Sequence, residues 1–297
     1  MKRIFYFNIT YSCNSNCIFC YSHNTHHSPL PYRELTFDKF KNYINIVKPN
    51  VFDRIIINGG EPLVHNEIKK ILLFLKDVPC EKLIYTNGRL LANIAAIKFD
   101  NRFRFIVPIH GYQEIHDSIT RVMGSYNETL QGLQALRKQE CMVDIKIILN
   151  EKLISSNDNI DIFLNKFNDI YFNNDIHLTR MAATIVSKKN DCKFVDNEMA
   201  SYYTEVMLLY FLKKGYSVKI FDTCIKNIQW LRKLKIKYLT IPYEVFFKDR
   251  ECSYKIDTAH HSLSCEDDCI NSKYCISAVN EYKVLKIRRN MLIEDWE

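Results

Sequence analysis

Alternation between short apolar runs and amphipathic stretches limits the folds open to this chain more than any other feature. Ile4 to Ile9, Arg54 to Ile57, Leu83 to Tyr85, Phe103 to Ile109, Val143 to Leu149 and Ile176 to Leu178 are short and mostly β-branched or aromatic, and read as strands. Helical spacing of apolar residues fills the intervals at 37–47, 65–75, 90–97, 126–138 and 160–167, and a longer pattern at 197–214 closes the series. Thr36 can cap the first helix and Pro49 ends it. Six strand-then-helix units imply parallel strands with helices outside. The expected fold class is α/β, a partial (β/α)6 barrel, with chemistry at the C-terminal strand ends. After Gly215 the alternation lapses, although Ser217 to Phe221 still reads as a strand. A boundary is expected there, with a barrel over 1–215 and a small irregular metal-binding domain over 216–297.

Cysteine usage narrows the chemistry. The chain has 11 cysteines, an odd number, and no apolar h-region follows Met1, so reduced thiols serving metal in a cytoplasmic protein are expected. No apolar run approaches a membrane span. The net charge of +7 is spread out, with a denser run from Lys226 to Lys237 that reads as a solvated helix face. Aromatics are not interleaved with that run, so nucleic acid is not an expected partner.

Cys13, Cys17 and Cys20 read C-x3-C-x2-C, with Phe19 just before the last. Three thiolates can hold three irons of a four-iron, four-sulfur cluster and leave the fourth open to another ligand. The plainer readings are reduced core cysteines or part of a zinc site, but zinc knuckles pair C-x2-C units and no partner pair lies nearby. Glycine is scarce, seven in all, yet Gly59-Gly60-Glu61-Pro62 follows the second strand, Thr86-Asn87-Gly88 the third and Gly111 the fourth. Each taken singly is an ordinary turn. Together they mark strand ends where backbone approaches a ligand.

In these residues the chain resembles the radical S-adenosylmethionine superfamily. Cys13, Cys17, Phe19 and Cys20 match its C-x3-C-x-aromatic-C signature, and Gly59 to Pro62 match its second-strand motif. The resemblance implies a [4Fe-4S] cluster on Cys13, Cys17 and Cys20, with S-adenosylmethionine chelating the fourth iron. It implies further that Phe19 lies near the adenine and that Gly59, Gly60 and Glu61 meet the methionine amino group. Thr86 and Asn87 would line the ligand's side. An electron from a reductant such as flavodoxin or ferredoxin would cleave the sulfonium, and the 5′-deoxyadenosyl radical would take a hydrogen atom from the substrate. Many relatives read Ser-x-Asp-Gly after the fourth strand, where this chain has Pro108-Ile109-His110-Gly111. Carboxylate recognition would then rest on Arg121 or Arg180. His110 would serve in acid–base work or as a satisfied structural residue.

Cys252, Cys265, Cys269 and Cys275 form a second group, the last three spaced C-x3-C-x5-C. They partly resemble the short C-terminal SPASM or twitch domains, which implies one auxiliary iron–sulfur cluster, with zinc as the alternative. Cys224 stands apart, as a replacement ligand, a hydrogen-atom donor or a buried small hydrophobe. The run from Ile115 to Leu136 resembles peptide-modifying members, so a ribosomally made precursor peptide is the expected substrate, altered by epimerisation or crosslinking. A small molecule such as a sugar or aminocyclitol is the alternative.

Overall fold

The structure is a computed structural model and describes residues 2–20, 34–181, 190–193, 195–221, 243–249, 252–256 and 285–287. Seven parallel strands lie side by side in chain order: β1 (Lys2–Thr10), β2 (Arg54–Gly59), β3 (Glu81–Tyr85), β4 (Phe103–Ile109), β5 (Met142–Leu149), β6 (Asp175–Arg180) and β7 (Ser217–Phe221). The α/β class is as expected, and the sheet continues past Gly215 to a seventh strand that pairs with β6. Three further strands extend its edges. β8 (Tyr243–Asp249) runs parallel beside β1, β9 (Cys252–Ile256) antiparallel to β8, and β10 (Leu285–Ile287) antiparallel to β7.

The helices are α1 (Phe37–Val47), α2 (Ile68–Lys76), α3 (Gln113–Thr120), α4 (Ser125–Ala135), α5 (Glu151–Ile154), α6 (Asn157–Lys166) and α7 (Asn197–Lys213). Thr36 caps α1, its side chain accepting from the Lys39 N–H. The stretch 90–97, expected as an α-helix, holds only a 3-10 helix at Leu91–Ile94. The reason lies in the spacing of Leu91, Ile94 and Ile97, all buried and each three residues apart, which is the period of a 3-10 turn. The helix expected from residue 65 begins at Ile68, after a 3-10 turn at Pro62–Val64.

Strand alternation gives the sheet two unlike faces. Phe5, Phe7, Ile57, Phe105, Ile145 and Leu178 are buried in one apolar core with helix residues such as Phe40, Leu72, Leu133, Phe163 and Phe211. The opposite face carries polar side chains, including Asn8, Asn58, Lys146, His177 and Thr179. Near the strand starts this face holds a charged layer. Fully buried Asp144 accepts from His177 Nε2 at 2.7 Å and from Arg104 Nη1 at 3.2 Å, and Lys219 Nζ lies 2.5 Å from Asp175. Burial alone would raise the Asp144 carboxyl, but the His177 bond and the charges of Arg104 and Lys219 hold it well below the usual carboxylate range. With these groups committed to one another near the strand starts, the opposite ends of the strands are where a site can form.

Candidate active site

Residues 11–20 leave the end of β1 as an irregular loop, and two neighbours hold it. The C-terminus of α3 accepts from it, through Thr120 O to Asn16 N–H at 3.0 Å and Ile119 O to Ile18 N–H at 2.9 Å. These carbonyls are among those a helix end leaves without internal partners. On the other side, Asn87 Nδ2 donates to Asn14 Oδ1 at 2.6 Å, and Arg89 donates to the Asn14 carbonyl and, at 3.1 Å, to Ser15 Oγ. Ile18 O in turn accepts from Asn190 Nδ2 at 2.7 Å and Cys192 Sγ at 3.5 Å. The loop thus has a set shape, with Cys13, Cys17 and Cys20 partly buried on it.

Burial pushes the Cys13 thiol up to about 11 and the Cys17 thiol up to about 12. Their cysteine neighbours push both the same way, and Arg89 is the nearby charge that opposes the shift. A ligating metal reverses such shifts, because it deprotonates the thiol it binds.

The segment after β2 is joined to this loop through its backbone. Gly60 N–H donates to Thr10 O and Glu61 N–H to Ser12 O, each at 2.8 Å. Gly59 has φ +150°, and a Cβ there would stand 2.1 Å from Thr10 O. A Cβ on Gly60 would stand 2.4 Å from Ser12 O and 2.5 Å from Tyr11 O. Only glycine lets the strands approach so closely. Glu61 itself is 1% exposed, and its carboxylate is fully engaged. It accepts from Thr86 Oγ1 at 2.7 Å, Leu63 N–H at 2.9 Å and Asn87 N–H at 2.6 Å. Glu61 therefore ties the ends of β2 and β3 together. Burial raises its carboxyl in spite of these donors.

His110 follows β4 and meets Phe19 edge-on, ring centres 5.3 Å apart. It is buried, and its Nδ1 has no hydrogen-bond partner. Such an orphan costs about 1–3 kcal/mol unless a ligand supplies the partner. Its backbone is held on both sides, the N–H donating to His116 Nδ1 at 3.3 Å and the carbonyl accepting from Asn150 Nδ2 at 2.9 Å. Burial pushes the His110 imidazole well below its usual range and takes His116 down to about 4, so both are neutral at pH 7.

An acid sensitivity follows. Between pH 6.5 and about 4 the unfolded chain binds a proton that folded His116 refuses, so stability falls as pH drops through that window and levels off below it. Denaturant titrations should show a loss of about 2 kcal/mol between pH 7 and 5 from His116 alone, with His110 adding to the slope. His116→Asn, which keeps an acceptor for the His110 N–H, should flatten the profile. An unchanged slope would refute the assignment. The carboxyls of Asp53, Asp117 and Asp144, all held low, act below this window.

The remaining expected residues are spread more widely. Arg121 ends α3 with φ 56°, and its guanidinium donates to Asn190 Oδ1 at 2.7 Å, which links it to the cysteine loop through the Asn190 bond to Ile18 O. Arg180 ends β6, where alternation puts it on the side of Ile176 and Leu178, the helix-packed face. Cys224, Cys265, Cys269 and Cys275 lie outside the described residues, and Cys252 opens β9 opposite Asp249 of β8. Sequence reasoning missed Arg89, Asn14, His116 and Asn150. Arg89 directly follows Thr86-Asn87-Gly88, Asn14 lies within the cysteine motif and His116 within the run from Ile115 to Leu136, whereas Asn150 had no signal.

The model of the Radical SAM superfamily matches residues 7–150, from β1 through β5, which include the cysteine loop, the ends of β2, β3 and β4, and α3. This chain carries a radical SAM enzyme domain. An AdoMet-dependent heme synthase of Methanosarcina barkeri is 29% identical over 153 residues, 50% of this chain and 43% of that protein. An S-adenosylmethionine-dependent nucleotide dehydratase of Selenomonas ruminantium is 34% identical over 86 residues, 29% of this chain and 30% of that protein. The chain thus spans less than half the length of these curated relatives. Among solved structures, Streptococcus suis SuiB bound to S-adenosylmethionine is similar with a TM-score of 0.57 at 12% identity, over 83% of this chain and 58% of that one. The anSMEcpe structure with AdoMet and the Kp18Cys peptide gives 0.55 at 13% identity, over 71% and 60%. At these identities the likeness is one of fold.

The residues of the radical SAM domain fit the cofactors the family implies. Cys13, Cys17 and Cys20, carried on one loop that α3 and residues 87–89 hold, supply three thiols, one for each of three irons. The orphaned His110 Nδ1 beside Phe19 marks a polar contact still to be filled. No helix among the described residues is long and apolar enough to cross a membrane.

Proposed function

We propose that the chain is a radical SAM enzyme that abstracts a hydrogen atom from a ribosomally made peptide, leading to epimerisation or a carbon-based crosslink. The observation that carries the radical chemistry is the cysteine loop, fixed between the α3 terminus and residues 87–89 with Cys13, Cys17 and Cys20 on it. Bound cluster and S-adenosylmethionine would supply a 5′-deoxyadenosyl radical. In this reading Cys13, Cys17 and Cys20 hold three irons, and the backbone of Gly59 and Gly60 faces the methionine amino group. Glu61, with both oxygens occupied, positions that backbone. Phe19 and the free Nδ1 of His110 flank the adenosine, Asn87 holds the loop, and Arg121 or Arg180 receives the carboxylate.

We assign residues 216–297 an auxiliary iron–sulfur cluster on Cys265, Cys269, Cys275 and either Cys252 or Cys224. In this reading a Cys224 not used as a ligand would return a hydrogen atom to the substrate. The peptide reading is supported by the fold shared with SuiB, solved also bound to the precursor peptide SuiA. The relatives by sequence favour a second reading, since their names concern heme and nucleotides, which are small molecules.

The test is anaerobic reconstitution, reduction by dithionite and addition of S-adenosylmethionine. 5′-Deoxyadenosine should form, faster when the cognate peptide is present, and the peptide should gain deuterium in D2O or lose two hydrogens. Stimulation by a small molecule and by no peptide would replace the first reading with the second. About eight irons per chain support the auxiliary cluster, whereas about four irons with bound zinc refute it.

A further inference from the structure

Residues 87–89 do more than complete a turn. The Arg89 side chain is 11% exposed and lies across the middle of the cysteine loop. Its Nη1 donates to the Asn14 carbonyl and, at 3.1 Å, to Ser15 Oγ, on two of the three residues between Cys13 and Cys17. Its Nε donates to Glu128 Oε2 at 2.5 Å, on a carboxylate 47% exposed at the first turn of α4. The guanidinium therefore has an inner side on the loop and an outer side on a solvated anion. Its backbone is fixed as well, the Arg89 N–H donating to Asn87 Oδ1 at 3.1 Å. Gly88 beneath it has φ +85°, and its carbonyl lies where a Cβ on Gly132 of α4 would come within 2.0 Å. Such close backbone packing leaves the 87–89 turn little room to shift. Salt screens an exposed charge, but a mostly buried cation facing a cluster is screened far less.

We infer that Arg89 is a positioning residue for the iron–sulfur cluster: it fixes the loop between Cys13 and Cys17 and sets the cluster's reduction potential through its charge, which Glu128 partly offsets. The inference rests on the proposed cluster at Cys13, Cys17 and Cys20. Cluster potentials respond to nearby charge and to the hydrogen bonds and solvent around the ligands. A cation favours the reduced, more negative state.

The experiment is an EPR-monitored redox titration of the reconstituted full chain, following the signal that changes on adding S-adenosylmethionine, with iron counted in each sample. Arg89→Gln keeps a donor for the Asn14 carbonyl but loses the charge, and its midpoint should move to more negative potential. Arg89→Lys keeps the charge and should restore the midpoint toward that of the unaltered protein. Glu128→Gln changes a half-exposed side chain at small expected cost in stability and should move the midpoint the other way. Equal midpoints in the unaltered protein, Arg89→Gln and Glu128→Gln at equal iron content would overturn the inference and leave the proposed function intact. If Arg89→Gln fails to load iron, an unmoved Glu128→Gln midpoint decides against it. An unaltered protein that binds no cluster overturns both.

Discussion

Cys17→Ala is expected to remove about four irons per reconstituted chain and to lower 5′-deoxyadenosine formation at least about a thousandfold, equivalent to roughly 4 kcal/mol in the barrier. Cys17 lies between Asn16 and Ile18, whose N–H groups are held by Thr120 O and Ile119 O, so its thiol comes from a fixed backbone. With only two thiolates left, a cubane would have two irons without protein ligands and no defined seat on the loop. The apo protein should lose little stability, because the side chain removed is small and only partly buried. Cys265→Ala provides the contrast. It should also lose about four irons if the auxiliary cluster exists, yet keep the capacity to cleave S-adenosylmethionine. Iron content, denaturant unfolding and product analysis on the two variants separate the reactive cluster from the second one. A Cys17→Ala protein that still forms 5′-deoxyadenosine would refute the assignment of the site.

Much of this arrangement was legible in the sequence because it is carried by local patterns. The strands announce themselves by short apolar runs, and the cysteines and the Gly59 to Pro62 string fall at their ends. Hidden features are those made by residues distant in sequence. Arg89 reaches Asn14 across 75 positions, and His177 reaches Asp144 across 33. No spacing rule relates such partners. Glu61 shows a subtler limit. Its place in the motif points to a ligand contact, but not to the bonds its carboxylate accepts from Thr86, Leu63 and Asn87, which join β2 to β3. His116 escaped notice for a similar reason: its role, accepting from the His110 N–H, depends on α3 folding back over β4. The 3-10 turn at Leu91–Ile94 was misread because a spacing of three satisfies a search for helical periodicity.

Gly60→Ala should be among the most damaging single-methyl changes in the domain. The added Cβ would stand 2.4 Å from Ser12 O and 2.5 Å from Tyr11 O. Neither oxygen belongs to a side chain that can swing away. Both are backbone of the loop that carries Cys13, and Ser12 O already accepts from the Glu61 N–H at 2.8 Å. Relief requires moving the loop off the end of β2, which breaks that bond and the Gly60 N–H bond to Thr10 O. The expected cost is about 4 kcal/mol or more, a range reached by few substitutions and tied to an identifiable collision. If instead the loop yields, stability is kept and the cysteines move, so iron loading falls while the apo protein unfolds normally. Gly124→Ala is the control: nothing lies within 4 Å of its Cβ position, so only its left-handed φ of +81° opposes the change, at roughly 1 kcal/mol. Denaturant unfolding of the apo proteins with iron counts after reconstitution distinguishes the cases. A Gly60→Ala protein as stable as Gly124→Ala and fully loaded with iron would mean that the backbone contact between β2 and the cysteine loop does not hold the site together.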